Sequence, residues 1–166
     1  MEKIVKALET SPSGKEKLLT VFWDEQCLPL GDDWELGFVN CLRNCGKIIL
    51  FITPDSIKRC ETADATNDNF LLEMDLATEL YATKKVSVIP IFMVERTYPG
   101  GHEAFIEKLK TNFPAVAAKH RWSQKTIAAT LLAVANLPDS IKMFLGDDFV
   151  PIAESISSQC PHSIIF

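Results

Sequence analysis

The chain lacks the glycine-rich motifs that cradle phosphate groups. Neither the GxGxxG pattern of dinucleotide-binding folds nor the GxxxxGK[ST] pattern of nucleoside triphosphatases occurs, which counts against a conventional dehydrogenase or kinase. Lys and Arg form no cluster of more than a few residues and the net charge is −5, so a nucleic-acid-binding face is not expected. The longest apolar runs, around 47–53 and 86–94, are too short to span a bilayer, and no membrane partner is expected.

Signals for metal binding and for secretion are also lacking. The five cysteines show no paired CxxC spacing and the three histidines are scattered, so no metal site is predicted. Residues 1–12 are charged and amphipathic, without the apolar centre of a secretory signal. These features are typical of reduced thiols in a cytoplasmic protein.

The apolar pattern of the chain predicts an α/β fold. With 166 residues, 47% of them apolar, the chain is long enough to bury a core. Continuous apolar strands are expected at Leu18–Trp23, Lys47–Ile52 and Val86–Met93, alternating with helices that include Phe70–Thr83. Strands of this kind are buried on both faces, which favours a parallel sheet whose following loops share one carboxyl edge.

The pattern loosens after Glu95. The sequence YPGGH at Tyr98–His102 predicts a turn in which His102 is solvated, and a short helix is expected at Glu103–Leu109. Asp147–Phe166 shows no clear period, and residues 137–166 are assigned as a C-terminal tail or extension. The chain begins on a helix where such folds begin on a strand, so the sheet is expected to be incomplete in its middle or at an edge.

Four segments in register resemble a Toll/interleukin-1 receptor (TIR) domain. They are VFWDEQCLPLGDDW (Val21–Trp34), KIILFITPDSIKRC (Lys47–Cys60), NFLLEMDLATEL (Asn69–Leu80) and VSVIPIF (Val86–Phe92). The resemblance covers Met1 to about Tyr98. It implies a flavodoxin-like three-layer α/β sandwich with a central parallel sheet over residues 1–136, lacking the first strand of the family.

The resemblance also implies a function in innate-immune or cell-death signalling. Many TIR domains hydrolyse NAD, as a substrate rather than a cofactor, to nicotinamide and ADP-ribose or cyclic ADP-ribose. Their catalytic glutamate lies on the helix after the third strand, where this chain has Glu73. Cleavage of the nicotinamide–ribose bond builds positive, oxocarbenium-like charge that a carboxylate stabilises. Without the resemblance, Glu73 is an exposed glutamate that complements the helix dipole.

Further residues are candidates for binding NAD. The set comprises Trp23, Asp24, Gly31, Trp34, Ser56 and Phe70. Each also has a plain structural interpretation: Asp24 bonds the amides of its own loop, Gly31 serves a turn, and the two tryptophans pack the core or the loop. Many enzymatic members carry Trp four residues before the glutamate, where this chain has Asn69, so Phe70 is the available aromatic surface.

The alternative function is that of a scaffold. TIR adaptors act without catalysis, by association with other TIR domains, and the loop Asp24–Asp33 resembles the mobile loop that mediates this assembly. An enzyme needs an open pocket that Glu73 faces, whereas a scaffold does not. The expected partners are therefore NAD and other TIR domains.

Overall fold

A computed structural model describes residues 21–22, 34–61, 69–111, 124–158 and 164–165. Strands and helices alternate along most of the described chain. In order they are β1 (Val21–Phe22), α1 (Trp34–Asn44), β2 (Lys47–Ile52), α2 (Pro54–Glu61), α3 (Asn69–Ala82), β3 (Ser87–Val94), α4 (Gly101–Thr111), α5 (Gln124–Ala135), β4 (Ile141–Phe144), α6 (Val150–Ser158) and β5 (Ile164–Ile165).

The central strands β2 and β3 form because each is a continuous run of apolar residues between turn signals. They pair in parallel over six residues, from Lys47 beside Ser87 to Ile52 beside Phe92. The predicted strand Lys47–Ile52 is confirmed with the same first and last residues. Gly46 before it and Pro54 shortly after it are the turn signals that limit its length. The next strand begins at Ser87, one residue later than the sequence pattern predicts.

The described strands form one five-stranded sheet in the order β1-β5-β2-β3-β4. Every described pairing is parallel. The short strand β5 lies between β1 and β2, with Ile164 beside Val21 on one side and beside Lys47 on the other. The sequence pattern predicts a sheet that lacks a strand in its middle or at an edge. In the structure, Ile164 and Ile165 occupy the position between β1 and β2. Two residues are too few for a periodicity to reveal a strand.

Side chains from alternate positions of the strands build two cores, one on each face of the sheet. Ile48, Leu50 and Ile52 of β2 face one core, which is closed by helices α1 to α5. Ile49 and Phe51 of the same strand face the other core, which α6 covers. The alternation has the period of two expected for a strand, and burial on both faces confirms the prediction of a parallel α/β sheet.

The region beyond residue 136 contributes to the sheet and to one of its covering layers. Met143 of β4 is 5% exposed, and Ala153 and Ile156 of α6 are almost fully buried against the second core. The sequence of this region shows no clear hydrophobic period because β4 has only four residues, and the exposure of its side chains does not alternate regularly. The described residues contain no helix that is long and apolar enough to cross a membrane.

Candidate functional site

Glu73 lies near the start of α3, the helix that connects β2 to β3 by way of α2. In a parallel sheet such a helix starts near the carboxyl edge and runs back to the amino edge. Glu73 is the fifth residue of α3 and is half-buried, while Leu71 and Met74 beside it are fully buried. Glu73 also takes part in an interaction within the structure.

A second carboxylate on the same helix, Asp75, has a structural role. Thr130 Oγ1 donates a hydrogen bond to Asp75 Oδ1 at 2.9 Å, and Thr130 is 3% exposed. The bond ties α3 to α5 through otherwise apolar packing, which fixes the rotation of the helix that carries Glu73. The sequence contains no signal for this pair, because 55 residues separate its members.

Ser56 belongs to a reciprocal cap at the start of α2. Its backbone N–H donates to Thr53 Oγ1 at 3.0 Å, and the Thr53 N–H donates to Ser56 Oγ at 2.9 Å. Pro54 occupies the first helical position, where its missing N–H costs nothing. The arrangement is a capping box with serine in the usual place of glutamate. A ligand at Ser56 would have to compete with this cap for the hydroxyl group.

The other candidates for NAD binding have different placements. Phe70 is half-buried and packs against the first core, so part of its ring is already covered by the protein. Trp34 is the first residue of α1. Trp23, Asp24 and Gly31 lie outside the described residues, as does the rest of the loop Asp24–Asp33.

The loops after β3 and β4 are joined at the carboxyl edge. Arg96 donates to Asp147 Oδ1 and lies over the Phe144 ring, with 4.8 Å from its guanidinium carbon to the ring centroid. The other oxygen of Asp147 accepts a hydrogen bond from the Phe144 N–H at 3.0 Å. Both oxygens of this carboxylate are therefore engaged, and the sequence pattern does not single out either charged residue.

His102 is buried, contrary to the prediction that it is solvated. It is 8% exposed, its Nε2 lies 2.7 Å from the Met143 carbonyl oxygen, and its ring lies 4.6 Å from the Phe144 ring. The physical reason is that α4 begins two residues earlier than predicted, at Gly101 rather than Glu103, so His102 is on the helix face that packs against β4. It is a packing residue between two elements, not a loop residue at a ligand site.

The predicted turn is confirmed at Tyr98–Gly100, whereas Gly101 and His102 belong to α4. Gly100 and Gly101 have φ values of 76° and 62°, which non-glycine residues rarely adopt. The Gly101 N–H donates to the Tyr98 carbonyl oxygen at 2.9 Å and closes the turn. A Cβ at Gly100 would lie 2.5 Å from Ala104 Cβ, so this position needs glycine for space as well as for conformation.

A pocket of about 470 Å³ opens at the opposite, amino edge of the sheet. It lies where α1 and α3 end and where β2 and β3 begin. We call it the amino-edge pocket, and its lining residues are Gly46, Tyr81, Ala82, Lys84, Lys85, Val86 and Ser87. The sequence pattern does not predict it, since residues separated by about forty positions form its wall.

Two titratable groups have shifted pKa values for clear physical reasons. Burial raises the pKa of the Cys45 thiol to about 11, and its Sγ donates to the Leu42 carbonyl oxygen at 3.1 Å. The hydrogen bond from Lys142 Nζ, 2.7 Å from Glu103 Oε1, lowers the pKa of the Glu103 carboxyl group. Neither group lies on α3 with Glu73.

Within the described ranges, no group of three or more His, Cys, Asp or Glu side chains is arranged to hold a metal ion. The chemistry available near α3 is that of single carboxylates, hydroxyl groups and aromatic rings. No model of a known protein family, no curated protein and no solved structure matches this chain.

Proposed function

We propose that this chain is a TIR-like cytoplasmic signalling protein that hydrolyses NAD at Glu73. The observation that supports it most is the placement of Glu73, half-buried near the start of the helix between β2 and β3. The amino ends of such helices lie at the carboxyl edge, where ligands of parallel α/β sheets bind. An acid at this edge is in the region where a nucleotide substrate is expected.

The strand order supports the fold that the proposal needs. Flavodoxin-like sheets have the order 2-1-3-4-5. The observed order β1-β5-β2-β3-β4 is the same if β5 is counted as the first strand. The strands β1, β2, β3 and β4 are then the second to fifth. On this proposal Ile164 and Ile165 supply the strand that the resemblance leaves absent, and β2 corresponds to the third strand of the family.

The reaction requires little of the protein besides one well-placed carboxylate. Nicotinamide is a good leaving group, so its departure needs no dedicated general acid. Glu73 would accept hydrogen bonds from the ribose hydroxyl groups and stabilise the positive charge that develops on the sugar. Water then attacks to give ADP-ribose, or the adenine ring attacks to give the cyclic product.

The test is nicotinamide release from NAD by the purified chain at high protein concentration. Glu73→Gln keeps the size of the side chain and removes its charge, and we expect release to fall about 100-fold or more. Glu79→Gln is the matched control, because Glu79 lies on the same helix and is exposed. Unchanged turnover in Glu73→Gln, with circular dichroism showing an intact fold, would remove Glu73 from the mechanism.

A second candidate is a scaffold that acts by self-association with TIR domains. The observation in its favour is that two large apolar side chains, Leu145 and Val150, are 43% and 45% exposed where β4 ends and α6 begins. If this surface associates, Leu145→Ser should shift the mass measured by light scattering towards the monomer. Leu132→Ser on α5, where Leu132 is 44% exposed, is the control. Absence of nicotinamide release from a folded, self-associating chain would favour this candidate over the enzyme.

A further inference from the structure

The strand β4 lies at one end of the sheet. Among the described strands it pairs only with β3, from Ile141 beside Ile91 to Phe144 beside Val94. We call its other side the open edge, because no described strand lies there. The backbone groups of such an edge can pair with a further strand, and proteins commonly protect them. The contacts made by these groups therefore show how the edge is protected in this chain.

The backbone groups of Phe144 point to the open edge. The N–H of the next residue, Leu145, donates to the Val94 carbonyl oxygen at 2.9 Å and so points towards β3. Successive residues of a strand direct their backbone N–H and C=O groups to opposite sides, so the groups of Phe144 and Lys142 point away from β3. A strand added to the open edge would have to bond these groups.

Asp147 occupies both backbone groups of Phe144. Its Oδ2 accepts a hydrogen bond from the Phe144 N–H at 3.0 Å, and its own N–H donates to the Phe144 carbonyl oxygen at 3.1 Å. Gly146, with φ of 90°, allows the chain to turn back between the two residues. Arg96 donates to Asp147 Oδ1 and lies over the Phe144 ring. The carboxylate of Asp147 is thus fixed against β4 from the loop after β3.

The partner that this contact excludes is a second copy of the chain. Two identical edge strands pair about a two-fold axis, which makes them antiparallel. If the axis passes beside Met143, the outward groups of Lys142 in each copy bond those of Phe144 in the other. Every hydrogen bond between the two strands then uses a backbone group of Phe144. Asp147 already holds both of these groups, so this register is blocked.

A different register is opposed by charge. If the axis passes beside Lys142, the Lys142 residues of the two copies can bond each other without using Phe144. Their ammonium groups would then lie on strands directly opposite one another, which is unfavourable for like charges. The Lys142 side chain is 45% exposed, and lysine is a common protecting residue on sheet edges. Hydrogen bonding and charge therefore oppose different registers of the same edge.

We propose that Asp147 and Lys142 together prevent β4 from pairing with β4 of a second copy of this chain. Asp147 withholds the Phe144 N–H and carbonyl groups from an added strand, and Lys142 opposes the register that avoids them. The ion pair with Arg96 supports the first contact, because it keeps the Asp147 carboxylate in place. Loss of the Asp147 side chain should therefore open the edge to pairing.

This inference does not rest on the proposed NAD hydrolysis or on the resemblance to TIR domains. Glu73→Gln should leave the open edge protected. Self-association through the exposed side chains of Leu145 and Val150 would not use the Lys142 N–H, so exchange at that amide distinguishes the two surfaces. The failure of either functional proposal would leave this one standing.

The first experiment is amide hydrogen exchange of the unaltered chain, followed residue by residue in ¹H–¹⁵N NMR spectra. We expect exchange at Phe144 to be at least about tenfold slower than at Lys142, because Asp147 holds only the Phe144 N–H. The rate at Lys142 should not depend on protein concentration. Equal rates at the two amides, or exchange at Lys142 that slows as the concentration rises, would overturn the proposal. This measurement needs no variant to fold.

The second experiment compares variants by analytical ultracentrifugation. Asp147→Ala should lower the dissociation constant of the dimer at least about tenfold relative to the unaltered chain, because the freed Phe144 N–H becomes available to the second copy. Exchange at Lys142 should slow in the dimer. Asp148→Ala is the matched control, since it removes the same charge from the next residue, whose Oδ1 accepts from the Val150 N–H at the start of α6.

A double variant tests whether the dimer of Asp147→Ala forms through β4. Lys142→Pro removes the outward N–H at the centre of the pairing, and an edge strand tolerates proline where its N–H would face outward. Combined with Asp147→Ala, it should restore the dissociation constant of the unaltered chain. Equal association of the Asp147→Ala and Asp148→Ala variants, or a double variant that associates as tightly as Asp147→Ala alone, would overturn the proposal.

Discussion

Thr130 Oγ1 donates a hydrogen bond to Asp75 Oδ1 at 2.9 Å and thereby joins α5 to α3 across 55 residues of sequence. Both helices otherwise meet through apolar side chains, among them Met74 and Leu131, which are fully buried. A polar pair in such surroundings gives the two helices one preferred rotation. The orientation of α3, and with it the position of Glu73, depends on this contact.

Replacing Thr130 by valine removes the donor while keeping the shape of the side chain. We expect the free energy of unfolding to fall by about 1–2 kcal/mol, because Asp75 loses its partner in a mostly buried place. Urea unfolding measures this change. Thr111→Val on α4 is the control, since the Thr111 hydroxyl bonds only within its own helix and is exposed. Equal midpoints for the Thr130 variant and the unaltered chain would contradict the role of the bond.

Replacing Lys84 by glycine should stabilise the protein. Lys84 has φ of 57°, which costs a residue with a Cβ about 1 kcal/mol relative to glycine. We expect the midpoint of thermal unfolding to rise by about 2–4 °C for that gain in a chain of this size. Lys84→Ala removes the same charge and keeps the backbone strain, so it should change the midpoint little. A rise of equal size in both variants would assign the effect to charge instead.

Alanine at Gly100 should destabilise the protein more than alanine at Gly146. Both glycines have positive φ, 76° and 90°, so each substitution introduces backbone strain of about 1 kcal/mol. Only at Gly100 would the new Cβ also meet another atom, Ala104 Cβ at 2.5 Å, whereas Gly146 has open space. Chemical denaturation of the two variants separates strain from steric overlap. Equal losses would show that the turn before α4 relaxes to admit the methyl group.

The Cys45 thiol should react slowly in the folded protein. Burial raises its pKa from 9.0 to about 11, so at pH 8 its thiolate fraction is about 100-fold lower than that of an ordinary thiol. Alkylation by iodoacetamide, followed at the Cys45 peptide by mass spectrometry, should be slower by at least this factor than in the urea-unfolded chain. Equal rates in the two states would contradict the burial of this thiol.

The same shift has a consequence for stability at high pH. The folded state raises the pKa of Cys45, so it favours the neutral thiol over the thiolate. This contribution is complete below pH 9.0 and is lost as the pH rises through about 11. Cys45→Ala should reduce the loss of stability over this interval, as measured by urea unfolding at each pH.

The strongest local signals in the sequence led to correct elements. The segment Lys47–Ile52, apolar after its first residue and placed between Gly46 and Thr53–Pro54, predicts β2 with its observed bounds. The apolar spacing that predicts a helix at Phe70–Thr83 corresponds to α3 at Asn69–Ala82. These elements depend on hydrophobic periodicity and on turn residues, both of which neighbouring residues carry.

The candidate site was less predictable. Thr53 and Ser56, a threonine followed three residues later by a serine, form a cap that the sequence analysis does not predict, and the proposal that Ser56 binds NAD stays a prediction. Neither Asp75 nor Lys47 was singled out, because the partner of one and the burial of the other arise from distant segments. The prediction that His102 is solvated was wrong because the helix was expected to begin at Glu103. The helix α4 begins at Gly101, so the His102 side chain lies in the core and not in solvent.

From its sequence alone, this chain is predicted to be an α/β protein with buried parallel strands, because its apolar runs have the length of strands and are unfavourable in water. Tertiary structure alone decided which strands are neighbours. Ile164 and Ile165 carry too little local information to be recognised as a strand, and they become one only because β1 and β2 offer backbone groups on both sides. The placement of Lys47 beside Ser87 follows from the same pairing of distant segments.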